Sequence, residues 1–286
     1  MKTDIYQEVT NKIINALENG VKPWVCPWDK TISDCAMPIN FKTKSIYSGV
    51  NIMLLWSAAD ERGFDSPYWL TFKQAKELGG NVRKGEKGTQ IIYYTLWEKK
   101  DKETEEVEKI PMLKTFTVFN ANQIDNIEFP SAEPKNTTEF ERLSYVDQVV
   151  SNTGAMIEHH GLRAFFCRSM DKIVMPKPER FNSQFDYYAT LAHELTHWTG
   201  HKSRLDRKFG AVKGDSDYAF EELVAELGSA FLMADLGVNG EVQHDSYIAS
   251  WIAALKNDKK FIFKAASKAS KAHQWIMSAE ALEQAA

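Results

Sequence analysis

The run His193-Glu194-Leu195-Thr196-His197 constrains this chain more than any other feature. Histidines four apart stand one above the other on one helix face, so both imidazoles can reach a single Zn²⁺ at about 2.0–2.1 Å if the segment is helical. Tyr187–Thr199 has no proline and is apolar or uncharged on both sides of the motif, and Ser183 stands before it as a cap. These signals predict a helix that runs through His201. Glu194 projects from the same helix and can take a proton from a metal-bound water, the arrangement of zinc metallopeptidases. Seven histidines in 286 residues give roughly 0.01–0.02 accidental matches in a chain of this length.

A catalytic zinc site takes three protein ligands and keeps a fourth position open. One known solution places a third histidine six residues beyond the second. Here Gly200 is in place, but position 203 is Ser203 and His201 follows His197 by only four. His201 is therefore expected as a cap or as a group beside a ligand. The other solution is a glutamate on the next helix, and Tyr218-Ala219-Phe220-Glu221-Glu222-Leu223-Val224-Ala225-Glu226 supplies one. Phe220, Leu223, Val224, Leu227 and Phe231 form an apolar stripe, with Glu222 and Glu226 on the other side. Acids four apart repel unless a cation or partner compensates. The spacing resembles the Glu-x-x-Ala-Asp helix of some zincin peptidases, which marks Glu222 as third ligand and Glu226 as the acid that orients a ligand histidine. Glu226 or Glu221 as the ligand stays open.

The remaining chain reads as α+β in two domains. Composition supports folded cores: 43% hydrophobic and 12% aromatic residues. Helices are expected from Asp4 to Gly20, from Val50 to Arg62 and, capped by Thr71, over Phe72–Leu78. Gln90–Trp97 and Leu113–Phe119 read as strands, joined across the charged block Lys99–Lys109 as a solvated hairpin tip. Phe129–Thr138 has linker composition. The domains are thus 1–130, a helix-plus-β-hairpin unit, and 131–286, mostly helical with a small sheet at 155–159, 163–167 and 172–175. Helices at 138–152, 217–236, 246–255 and 260–278 accompany the motif helix.

Charge and cysteines bound the setting. The best apolar run, around Ile52–Ala59, is far shorter than the ~18–20 residues of a membrane span. No signal-peptide pattern opens the chain, and Cys26, Cys35 and Cys167 form no Cys-x-x-Cys pair, so a soluble, cytoplasmic protein is expected. A net charge of -4 argues against a generally basic nucleic-acid binder and leaves only a local patch. Such a patch lies in the first domain. Between Trp69 and Lys100, seven basic residues face three acidic ones, and a Gly-Lys loop, Gly79–Gly88, feeds a strand with Tyr93, Tyr94 and Trp97. Stacked aromatics beside a cationic track hold single strands. The candidates are Trp69, Lys73, Arg83, Lys84, Lys87, Tyr94 and Trp97, while Trp56 reads as core.

Longer motifs then bring a resemblance. Tyr47-Ser48-Gly49-Val50-Asn51, Trp69–Ala75 and Gly79–Gly88 are similar to the first domain of ArdC-type antirestriction proteins. Thr190–His201, Arg204-Leu205 and Glu221–Glu226 resemble the zincin-like metallopeptidase domain of the same family. The resemblance implies a single-stranded-DNA-binding domain followed by a metal-binding, peptidase-like domain, encoded on conjugative plasmids or other mobile elements. Such a protein protects incoming DNA from host restriction. Its cofactor would be Zn²⁺, with Mn²⁺ as another divalent choice, and its partners single-stranded DNA and a protein substrate such as a restriction component, with no membrane. Two other readings stand beside this one. In the first, a DNA-shielding protein carries a structural or inactive metal; in the second, a metallopeptidase uses its N-terminal domain to bind protein.

Overall fold

A computed structural model describes residues 4–26, 37–100, 107–130, 139–210, 216–238 and 247–283; the side chains of 96–100, 107–112, 139–142 and 280–283 lie outside the description. In the first half, α1 (Ile5–Glu18) starts where Asp4 accepts the Gln7 N–H. After β1 (Ile39–Asn40), α2 (Val50–Arg62) runs between Gly49 and Gly63, both at positive φ. Next come β2 (Tyr68–Thr71) and the short α3 (Phe72–Glu77), held at its start by a capping box between Thr71 and Gln74. Then follow β3 (Asn81–Val82), β4 (Thr89–Lys100), β5 (Val107–Asn120) and β6 (Ile124–Asp125).

Strands β4 and β5 form a long antiparallel hairpin in a sheet of order β1-β2-β5-β4, and β3 pairs with β6. The hairpin is longer than the sequence pattern suggests. Ladder pairs Glu98↔Lys109 and Lys99↔Glu108 carry it through the charged block. The rest of the expected tip, 101–106, lies outside the described residues. Two of the motif residues have structural work here. The Asn51 side chain bonds both the carbonyl and the N–H of Ile92, each at 2.8 Å, and so docks α2 on β4. Gly49, at φ +61, donates its N–H to Ser270 in the other half of the chain.

The second half opens with α4 (Glu139–Asn152), then β7 (Met156–His159), β8 (Phe165–Cys167) and β9 (Lys172–Met175) in the order β7-β9-β8. Four helices complete it: α5 (Gln184–Thr199), α6 (Ser216–Asp235), α7 (Ile248–Asn257) and α8 (Phe261–Glu283). Ser183 caps α5, as the pattern indicates, but the helix stops at Thr199 rather than reaching His201. No described helix is long and apolar enough to cross a membrane.

The cores do not follow the 130/131 division. Val9, Ile13 and Leu17 of α1 and Trp56 of α2 belong to one buried cluster with Leu223, Leu227 and Phe231 of α6 and with Trp251 and Ile262 beyond it. Trp56 meets Phe231 edge-on at 6.0 Å. A second cluster joins α4, α5 and β9 to the far end of α6. Helix α6 thus lies between both clusters, which is why even its glutamates are buried.

Helices α5 and α6 touch most closely at Gly228, where an added Cβ would stand 2.5 Å from Thr196 Cγ2 and 2.7 Å from its Oγ1. Thr196 cannot swing away, being β-branched and bonded to the Ala192 carbonyl. Gly228→Ala should therefore push the helices apart and cost about 1–3 kcal/mol in a urea unfolding titration. An unchanged midpoint would mean that the contact is slack.

Candidate metal centre

Helix α5 presents His193 and His197 toward α6, and both are buried. Their Nε2 atoms lie 3.2 Å apart. Glu222 of α6 faces the same point, with Oε2 3.7 Å from His193 Nε2 and Oε1 3.6 Å from His197 Nε2. One donor atom from each of the three falls within 4.8 Å of the others. Three ligands at about 2.0–2.2 Å around a tetrahedral Zn²⁺ sit roughly 3.3–3.5 Å from each other. The donor set therefore fits a divalent ion closely.

A surrounding set of bonds fixes these groups. His197 Nδ1 is 3.2 Å from Glu221 Oε1, which turns Nε2 toward the shared point. Glu221 is buried and receives Arg207 through Nη2 at 2.7 Å and Nε at 3.0 Å. Arg207 also donates to the Thr199 hydroxyl and the Thr196 carbonyl, so it ties the end of α5 to α6. Burial drives the Glu221 carboxyl up, but the bonds from His197 and Arg207 outweigh it and hold the group below its ordinary range. Burial likewise opposes ionisation of Glu222, yet hydrogen bonding from His193, the charges of both histidines and the Tyr218 hydroxyl bring it to about 2.

Glu194 is different. Its burial is not offset by a close cation, and its carboxyl is pushed up to about 7, with His197 opposing and Glu222 adding to the shift. It accepts the Phe166 N–H from β8. A carboxyl near neutrality suits a group that both takes and returns a proton. Glu194 and the three donors line a cleft of about 560 Å³, bounded by Phe165 and Phe166 on β8 and by Tyr218 and Tyr247.

Other expected residues are placed differently. Glu226 is buried one turn beyond Glu222, where its Oε1 accepts the Trp24 Nε1–H at 3.4 Å. The orienting bond to His197 comes from Glu221, a role the acid spacing alone did not single out. His201 lies past the end of α5, where its Nδ1 meets Ser203 Oγ at 2.8 Å and Asp171, the acid bound by Arg204. The turn after Gly200 carries it off the helical face that the i, i+4 spacing assumed.

The expected nucleic-acid surface also divides. Trp69 is fully buried in β2 against Phe64, so it is core and cannot stack on a base. Arg83 is committed to Asp125, Glu86 and the Asn122 carbonyl. Lys73 is highly exposed, 3.8 Å from Glu77. Lys84 and Lys87 are exposed and make no ion pair among the described residues. Tyr94 is 58% exposed on β4; Trp97 is further along that strand, opposite Ile110, with its side chain outside the description. Tyr93 and Phe116 are half-exposed and meet edge-on at 5.9 Å. Phe116 was not a candidate, because only the ladder register, Tyr93↔Lys114, puts it diagonally across from Tyr93.

Comparison with known proteins accounts for this combination. Residues 3–119 match the model for the N-terminal domain of anti-restriction factor ArdC, and 144–268 match a zincin-like metallopeptidase model. DNA primase TraC of Escherichia coli is 36% identical over 98% of this chain, which spans only 20% of that protein in one form and 28% in another. Protein y4eC of Sinorhizobium fredii is 36% identical over 96% of the chain and 92% of its own length. The metal-free structure of antirestriction ArdC from plasmid R388 superposes with a TM-score of 0.84 at 43% identity, covering 98% of this chain and 99% of that one. Its Mn(II)-bound structure superposes at 0.81 with 42% identity. A solved relative 43% identical and covered over 99% of its length, with the ArdC N-terminal model matched over 3–119, shows that the chain belongs to the ArdC antirestriction family.

Proposed function

We propose that this protein binds single-stranded DNA through its N-terminal region and carries a metal-dependent peptidase-like site, so protecting incoming DNA of a mobile element from restriction in the cytoplasm. The convergence of His193, His197 and Glu222 in a cleft that also holds Glu194 carries the reading. His193 Nε2, His197 Nε2 and a Glu222 oxygen would hold the ion, Zn²⁺ or Mn²⁺. The ion, when bound, supplies Lewis acidity that polarises a scissile carbonyl and acidifies water. Glu194 takes the proton of the attacking water at its carboxylate and delivers it to the leaving amine. Glu221 keeps His197 in the tautomer that leaves Nε2 free. Phe165 and Phe166 present the outer edge of β8 to an extended protein substrate, for which a restriction component is the natural class. That R388 ArdC has a Mn(II)-bound structure supports a divalent ion here.

DNA is assigned to the hairpin and the loop before it. Lys84 and Lys87 offer exposed charges for phosphates, and Tyr93, Tyr94 and Phe116 offer ring faces for bases. Contact with the backbone makes affinity fall with salt, with a log–log slope of about −0.7 per neutralised phosphate on a single strand.

Three outcomes test this reading. Glu194→Gln should keep one bound metal ion yet lose about 10²–10⁴-fold of any peptide hydrolysis, in assays on the metal-loaded protein. Full antirestriction by the same variant would remove peptidase chemistry from the protective act and leave DNA shielding. Glu221→Gln keeps a hydrogen-bonding side chain but removes the charge behind His197, and should weaken metal binding about 10–100-fold by chelator competition. Lys84→Ala with Lys87→Ala should flatten the salt dependence of single-strand binding, whereas Tyr94→Ala should weaken it at every salt concentration. If fluorescence titrations show wild-type binding for all of these, the strand runs over another surface.

A further inference from the structure

Two separate paths lead from Trp24, in the part of the chain matched to the N-terminal domain, to the helix that carries Glu222. The first is direct. Trp24 is 2% exposed, and its Nε1–H donates to Glu226 Oε1 at 3.4 Å. Glu226 is buried one helical turn from Glu222 on the same side of α6. The second path is aromatic. Trp24 packs edge-on against Trp251 at 5.8 Å, and Trp251 donates its own Nε1–H to the Ala219 carbonyl in the first turns of α6. The Trp251 ring stacks on Tyr247 at 6.0 Å, whose hydroxyl lies 3.3 Å from that of Tyr218. Tyr218 lines the same cleft as Glu222, one turn before it on α6. One indole thus braces the helix at Glu226 and, through Trp251 and Tyr247, at Ala219 and Tyr218 in the turn that leads to Glu222.

We propose that Trp24 is a positioning residue of the metal centre: it fixes the carboxylates of α6 from the N-terminal part of the chain and so raises metal affinity. An indole N–H can only donate, and a buried carboxylate needs donors, so the contact has one polarity and one geometry. The zincin-like segment 144–268 does not therefore build its metal site alone. Any event that shifts the chain around residue 24 alters metal affinity, and by linkage metal loading tightens Trp24 to the same degree. The inference rests on the assignment of His193, His197 and Glu222 as ligands, and its test separates the two.

In the full-length protein, Zn²⁺ affinity is measured by competition with a chromophoric chelator, alongside thermal unfolding after metal removal. Trp24→Phe keeps a ring against Trp251 but loses the N–H. It should weaken Zn²⁺ binding about threefold to tenfold, less than loss of a group bonded to a ligand histidine, with the metal-free melting temperature nearly unchanged. Tyr247→Phe, which keeps the stack and breaks the hydroxyl contact, should weaken Zn²⁺ binding by a smaller factor. Equal affinity in wild type and both variants overturns the role of Trp24 while leaving the ligand assignment intact. A wild-type protein that binds no Zn²⁺ overturns both. Should Trp24→Phe fail to fold, ¹⁵N spectra of the wild type decide: the Trp24 indole resonance should move on Zn²⁺ addition, and a stationary one overturns the proposal.

Discussion

The buried carboxylate of Glu221 is the interaction on which the rest of the centre depends. A carboxylate removed from water is costly unless several donors meet it, and removing one partner of such a pair costs about 3–5 kcal/mol. Here Arg207 approaches in a two-point grip and His197 supplies a further bond. His197 lies on α5 and Arg207 in the turns after it, while Glu221 itself is on α6. Satisfying a single charge therefore locks both helices in the register that brings His193, His197 and Glu222 together. The tight contact of Gly228 with Thr196 sets the helix separation in the same stretch, with Thr196 also lending its carbonyl to Arg207.

The same economy ties the two matched domains to each other. A helix with three buried glutamates, Glu221, Glu222 and Glu226, needs apolar support on every other side. Leu223, Leu227 and Phe231 find it against α1, α2, Trp251 and α8, so the N-terminal helices are part of the frame that holds the centre. The hairpin of β4 and β5 reaches that frame through Asn51, which joins α2 to Ile92. The strand that bears the exposed Tyr93 and Tyr94 and the helix that bears Glu222 thus share one buried cluster, through Ile91, Ile92, Leu223 and Leu227.

Much of this was legible in the sequence where a local rule governs. Asp4, Thr71 and Ser183 cap the helices they precede, Gly63 ends α2, and the i, i+4 histidines share a buried face. The position of Glu222 opposite them follows from acids placed on an otherwise apolar helix. What could not be read depends on contacts distant in the chain. The burial of Trp69 comes from its place in β2, a strand of four residues too short for a periodicity signal. Arg83 looked cationic and available, but Asp125, brought beside it by β6, takes it up. The importance of Glu221 over its neighbours needed Arg207, fourteen residues earlier, to be seen against it.

The proposed ligand set, His193, His197 and Glu222, requires one divalent ion between α5 and α6. Anomalous diffraction from crystals of the full-length protein loaded with Zn²⁺ tests it most directly. A single strong peak is expected at about 2.0–2.2 Å from His193 Nε2, His197 Nε2 and a Glu222 oxygen, with a coordination position open to the cleft. A peak that instead involved Glu226 or His201, or no peak between the two histidines, would contradict it.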